Sequence, residues 1–582
     1  MHVGRLLSCA VANEVASRQV KDLRRLLSSG SRDKWLQACT AIVDILNTPG
    51  SLVRVEFTLL AAALIKCVKV PKDPRQLSLL TALSESMAQR LEEGDSTDVS
   101  VLSPKRIGEA MRAIGAAGRS PPTAVARLRD LLRPHLLATI PDMGPLQLRH
   151  VAWAINKLSL PWHSEIDMAI NTMLDRVGLA SVGSDELATF VWAVSRMGGC
   201  NGRFASAVAV DWAGRVGRPG VSAEAHALVL SSLGATARNQ SEVVRLFDVC
   251  SSKLDLDNFK TSELASVLWA FGHVTASTLD PRIWKICTAK FDESTIRQCP
   301  LHSIGNAFWA AGSVAQSSKS DSHLPLAFVR HLAELIVSSG FDGFTSGAIS
   351  SIAWAVGLAS DGGPWVERTF RHLLSSDQCP IDGSCLAQDW KPLEIATVLS
   401  SLTEAKLLDA FPAFTSTATE VVVDDIGTWR PTAQNILAVS QISNALWSTG
   451  QGTMLPIVDW AMANADALTP QSESRILWAT ARMFESSVLR EPPASVVAFV
   501  SGLADQYRSR DGHQYQQQDV ALLVWALGTL RLSHYELEER CCVLARGMLM
   551  DGRIDSRHLA MVLWGLSWTE SRAAPSGLAK QT

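Results

Sequence analysis

The sequence predicts an all-α fold, an α-α superhelix (solenoid) of about twelve helical-hairpin repeats, each of roughly 40 residues. Three observations carry that prediction: a phrase centred on Trp that returns at a steady interval, apolar residues at helical spacing around it, and small residues at fixed offsets from it.

The phrase is clearest around Trp153 (LRHVAWAINKL), Trp192 (LATFVWAVSRM), Trp269 (LASVLWAFGHV) and Trp309 (IGNAFWAAGSV). Trp354, Trp447, Trp525 and Trp564 stand in the same frame, and Trp478 fits it in part. Degenerate copies put Arg112, Ser231 and Ser400 at the Trp position, with Ala62 as a further one. From Arg112 onward, successive positions lie 41, 39, 39, 38, 40, 45, 46, 47, 31, 47 and 39 residues apart. A chain of 582 residues exceeds what one hydrophobic core accommodates, and this period resolves the excess into stacked units.

Counted from the Trp as zero, positions −5, −2, −1 and +2 are usually apolar, which is the buried stripe of an amphipathic helix. Position +1 is always small, from Ala154 and Ala193 through Ser401 to Gly565, and position −4 is mostly Ala, Ser or Gly. Small residues let a neighbouring helix approach, so the repeat tryptophans are expected to be core, each a knob into the next repeat. Ser184, Ser222, Thr261 and Pro392 stand where N-caps or first-turn residues belong. Gly115, Gly234, Gly272, Gly312, Gly357, Gly450 and Gly528, three residues past the Trp position, are expected to terminate their helices. A second amphipathic segment, such as 281–287, completes each hairpin. The wider spacing around Ser400 and Trp447 predicts longer loops, foremost Asp377 to Asp389.

These readings divide the chain into an N-terminal segment (1–50), the repeat array (51–570) and a disordered tail (571–582). The first 32 residues carry Arg5, Arg18, Lys21, Arg24, Arg25 and Arg32 against Glu14 and Asp22. Both a transit peptide and ordinary capping helices fit that pattern.

The formal net charge of −3 excludes a surface that clings to phosphate everywhere, so a nucleic-acid site has to be local. One basic stretch qualifies: Lys105, Arg106, Arg112, Arg119, Arg127, Arg129, Arg133, Arg149 and Lys157 face only Glu109, Asp130 and Asp142. A solvated helix surface is the alternative reading. The eleven cysteines, Cys379 and Cys385 included, lack zinc-ligand spacing and read as reduced thiols. No apolar run approaches the ~18 residues of a membrane span, so no membrane insertion is expected. Phosphate-loop, HExxH and GxSxG signatures are missing from the sequence. The expectation is binding rather than catalysis, with no cofactor and no metal.

The phrase L-A-x-x-L-W-A resembles the octotricopeptide repeat. It is similar also to helical repeats of the FAST-kinase/RAP type and of RNA-editing substrate-binding complexes, over about residues 55 to 568. A RAP domain has no counterpart after Trp564. The resemblance implies binding of single-stranded RNA, mRNA or rRNA, in a mitochondrion or chloroplast, in transcript processing, stability, editing, rRNA assembly or translation. It implies other proteins of an RNA-processing complex or ribosome as further partners. The family's Asn at −3 is matched by Asn306 and Asn444; His150, Thr189, Ser266, Ser351, Thr397 and Arg475 hold that position elsewhere. Such a polar ladder reads bases, or else it forms hydrogen bonds between repeats. The candidate RNA-binding residues are therefore Lys105, Arg106, Arg112, Arg127, Arg129, Arg133, Arg149, His150, Asn306, Asn444 and Arg475. A protein-interaction scaffold of the HEAT or armadillo kind is the alternative function, and a cytoplasmic location the alternative to an organelle.

Overall fold

The computed structural model describes residues 18–573 apart from 30, 48–56, 69–75, 93–102, 117–122, 161–162, 198–201, 275–278, 318–322, 376–385, 387–388, 450, 487–490 and 511–513. The transit-peptide reading of the first residues, most of the loop 377–389 with Cys379 and Cys385, Arg119, Gly450 and the end of the tail fall outside them.

Every regular element among the described residues is a helix, and the chain forms two compact units, 1–283 and 284–582. Each unit is a stack of helical hairpins in two layers, the all-α repeat fold that the Trp period predicts. In the first unit the first layer runs Phe57–Val68, Pro104–Ala116, Pro145–Leu158, Ser184–Ser195, Ala223–Thr236 and Thr261–His273, each packed on the next. The second layer holds Arg32–Asn47, Gln76–Glu92, Thr123–Thr139, His163–Arg176, Gly202–Ala213 and Ser241–Lys253. In the second unit the first layer is Leu301–Ser317, Ser346–Leu358, Pro392–Glu404, Ala433–Leu446, Pro470–Ser486, Gln517–Leu530 and Ser556–Ala573. A hairpin hides only part of its apolar surface, and stacking on both neighbours hides the rest.

Helix starts follow local chemistry. Ser222 Oγ accepts from the Ala225 amide at 3.1 Å, and Glu263 and Glu394 reach back to the Lys260 and Lys391 amides at 2.8 and 2.9 Å.

The periodic glycines depart from expectation. Gly115, Gly234, Gly272, Gly312, Gly357 and Gly528 lie within their helices, and none has a positive φ. Their role is close approach between repeats. A Cβ on Gly234 would stand 2.8 Å from the Ala270 carbonyl oxygen, and one on Gly357 3.0 Å from the Ser401 Cβ. At Gly115, Gly234, Gly357 and Gly528 the +3 glycine thus meets the small +1 residue of the next repeat, so both positions are fixed by a single crossing, whereas Gly312 meets the Trp354 ring.

The repeat tryptophans also depart from expectation. Trp153, Trp192, Trp269, Trp309, Trp354, Trp447, Trp478 and Trp525 are half-buried rather than core, and Trp564 is 40% exposed. The knob points backward: the Trp153 and Trp354 rings lie over Gly115 and Gly312 of the preceding repeats. Position zero sits at the edge of the small-on-small crossing, where an indole is too broad to enter and keeps one face open.

Candidate functional site

Positions −7, −3, 0 and +4 of a helix share one face, because 3.6 residues make a turn. In the second unit these faces of all seven first-layer helices line one groove of about 740 Å³. Trp309, Trp354 and Trp478 give it indole faces at position zero; Ser351, Thr397, Asn444 and Arg475 line it from −3. Gln441, Gln518, Arg557 and His558 come from −6 or −7. From Trp478 a series of indoles runs outside the groove lining along the last first-layer helices, with centroids 6.2 Å apart for Trp478–Trp525, 5.8 Å for Trp525–Trp564 and 6.1 Å for Trp564–Trp568. Next to Trp478, the Arg482 guanidinium lies 4.9 Å over the Trp447 ring.

The groove is polar yet nearly balanced in charge, with Glu394 and Glu404 opposing Arg475 and Arg557. Burial raises the Glu404 carboxyl above its ordinary range. The buried Asp519 accepts from the Gln516 amide at 3.0 Å, and its carboxyl is raised by burial against the opposing pull of the Arg475 charge. At −3 the hydroxyls turn inward to their own helices: Ser351, Thr397 and Ser266 donate to carbonyls four residues back at 2.8, 2.7 and 3.0 Å. Asn306 and Asn444 form no such bond among the described residues, and Asn444 is exposed. Gln441 Oε1, one turn before Asn444, is buried without a donor among the described residues. An unpaired buried carbonyl oxygen is costly, and a ligand N–H relieves it.

The basic stretch of the first unit divides between layers. Arg127, Arg129 and Arg133 stand on the second-layer helix Thr123–Thr139, where each meets a carboxylate: Glu92 for Arg127, Asp130 at 2.7 Å for Arg129, and Glu165 at 3.8 Å for Arg133. Consecutive helices of a hairpin enter opposite layers, so neighbours in sequence separate in space. Lys105 and Arg112 are exposed on the first-layer helix Pro104–Ala116, and the side chain of Arg106 falls outside the described residues. Arg149, on the next first-layer helix, donates to Thr189 Oγ1 at 2.9 Å and to His150 Nε2 at 3.2 Å. Thr189, a −3 residue, is thus bonded from position −4 of the preceding repeat. Burial, then the nearby Arg112 charge, lowers the Arg149 pKa, and the same causes with Arg149 itself push His150 down to about 4. Neither Arg112 nor Arg149 has an ion pair among the described residues. The two guanidiniums form a positive spot that favours an anion.

Of the polar groove lining, the −3 ladder of the sequence supplied Ser351, Thr397, Asn444 and Arg475 and no more. Gln441, Gln518 and Arg557 occupy −6 or −7, which the period supplies once its groove-facing offsets are known.

No family model matches the chain, and no curated protein matches it. Among solved structures, a homology model of the full-length AP-3 complex in an intermediate open conformation is 10% identical, spans 99% of this chain and 100% of that one, and has a TM-score of 0.27. The crystal structure of an engineered protein is 14% identical over 85% of this chain and 100% of that one, at a TM-score of 0.25. The pentatricopeptide repeat protein PPR10 in complex with an 18-nt psaJ RNA element is 12% identical over 95% of this chain and 88% of that one, at a TM-score of 0.29. At TM-scores this low, none of these likenesses bears on function.

Proposed function

We propose that the chain binds single-stranded RNA along its first-layer helices, as a non-catalytic RNA-binding protein. The observation that carries the reading is the second-unit groove, where the half-buried indoles of Trp309, Trp354 and Trp478 flank the amides of Gln441 and Asn444. Indoles stack on bases of any kind, and amides address base edges. A duplex hides both its base faces and most of its edges, so the groove selects unpaired strands. Arg475 and Arg557, and in the first unit Arg112 and Arg149, contact phosphate. Two such contacts within one unit lower affinity about sevenfold between 50 and 200 mM salt. An organellar transcript is the target we propose, on the Arg-rich N-terminal segment and the repeat resemblance.

Fluorescence anisotropy with labelled single-stranded and duplex RNA tests this. Single strands should bind at least roughly tenfold more tightly, and Asn444→Ala should weaken binding about five- to tenfold with an unchanged melting curve. Equal affinity for duplex and single strand would refute the reading. Capture of a protein whose binding ignores salt up to high concentration would favour a scaffold instead.

A further inference from the structure

The row of indoles in the second unit has one gap. Position zero holds Trp309, Trp354, Trp447, Trp478, Trp525 and Trp564, but Ser400 in the helix Pro392–Glu404. The groove centres on that helix, which contributes seven lining residues from Leu393 to Glu404, where no other contributes more than three. The Trp354 ring lies over Gly312; over Gly357, the same place one repeat on, an added Cβ would meet Ser401 first. A serine is too short to cover that place as an indole does. Position +4, one turn past the gap, is unusual as well. Elsewhere it sets a cation or a ring against an indole: Arg196 lies 5.9 Å over Trp192, and His273 packs edge-on at 4.3 Å from Trp269. Across the thirteen repeats Glu404 is the single acidic residue at +4. Its side chain lines the groove and forms no hydrogen bond or ion pair among the described residues.

Indole and purine share a fused bicyclic skeleton, so a place shaped for one accepts the other. The carboxylate then decides which purine. It only accepts hydrogen bonds, and it binds most strongly to two N–H groups side by side. Guanine offers that pair on its Watson–Crick edge, at N1 and N2. Adenine and cytosine set one donor beside a lone pair, which opposes the second carboxylate oxygen, and uracil sets its one donor between two carbonyls. We propose that the Ser400 gap holds one guanine base of a bound strand, its face on the Trp354 indole and its N1 and N2 hydrogens on the Glu404 carboxylate. The inference rests on the RNA reading above and adds to it a base choice at one repeat. Thr397, the −3 residue of that repeat, donates to the Leu393 carbonyl at 2.7 Å, so its hydrogen is not offered to the base and the choice falls to Glu404.

Fluorescence anisotropy of the full chain tests this with oligouridine strands carrying one central guanosine, inosine or adenosine. The guanosine strand should bind about tenfold more tightly than the adenosine strand. Inosine, which keeps N1–H and lacks the N2 amine, should fall between them. Glu404→Gln, at an exposed position, should bring guanosine and adenosine strands within about twofold of each other, with the circular dichroism unchanged. Ser400→Trp fills the gap and should do the same. Equal affinity of guanosine and adenosine strands for the native chain, or a guanosine preference that survives either variant, would overturn the guanine site and leave RNA binding standing. Binding of none of the strands would sink the RNA reading itself, and this site with it.

Discussion

Gly234→Ala and Gly502→Ala are the same substitution in helix interiors, and the crossing geometry gives them opposite signs. Alanine is favoured over glycine in a helix by up to about 1 kcal/mol, since glycine loses more backbone entropy. Gly502, in Ala494–Ser509, has no atom within 4 Å of the added carbon, so the full gain of about 0.5–1 kcal/mol is expected there. At Gly234 the added carbon stands 2.8 Å from the Ala270 oxygen and 3.2 Å from its Cα, against 3.4 Å for an ordinary contact. Those are backbone atoms of Thr261–His273, so relief requires a shift of the helix by about 0.6 Å rather than a rotamer change. Such overpacking costs about 1–3 kcal/mol, which outweighs the propensity gain and leaves a net loss of about 1–2 kcal/mol. Urea unfolding followed by circular dichroism measures both. Hydrogen exchange assigns the loss to the repeats around Gly234, because stability in an array is passed between neighbours. A Gly234→Ala protein stabilised as much as Gly502→Ala would refute close approach as the reason for the periodic glycine.

The two layers separate the roles of the bases: Arg112→Glu with Arg149→Glu should weaken RNA binding and flatten the salt slope by about 1.4, while Arg127→Glu should leave both nearly unchanged, as anisotropy across a salt series will read. Acid should loosen the first unit. Burial holds His150, His226 and His273 down at about 4, so the unfolded chain takes up protons that the folded chain refuses, and stability is lost as pH falls from 6.5 toward 4. The Pro470–Ser486 helix should respond in the opposite sense. Burial lifts Glu473 to about 7 although Arg510 Nη1 donates to both its oxygens at 2.8 Å, so the folded state keeps a proton the unfolded state has released. Stability there declines as pH rises from about 4.5 to 7, and Glu473→Gln removes the dependence. Hydrogen exchange across that range, corrected for intrinsic rates, reads both; parallel trends in the two regions would contradict the assignment.

By itself the sequence determined the repeat, its length, the helical hairpin and the small residues at fixed offsets, because a 3.6-residue turn writes helix faces directly into spacing. It placed Gly234 and Ala270 at periodic positions without revealing that they touch, since the partner of each lies one repeat away. That is why the glycines read as helix ends and the indoles as core. A one-dimensional pattern says which residues share a face, and only packing says how far two faces approach and which indole edge stays open. Distance along the chain misled most at the bases: Arg112 and Arg127 are fifteen residues apart, yet one enters the first layer and the other the second. Asn444 and Arg475 were legible because the −3 offset happens to face the groove. Gln441 and Arg557 were not, because nothing in a single repeat distinguishes a groove-facing −6 or −7 from a solvated one. Stacking the first-layer helices within each unit, six and seven of them among the described residues, decides that question.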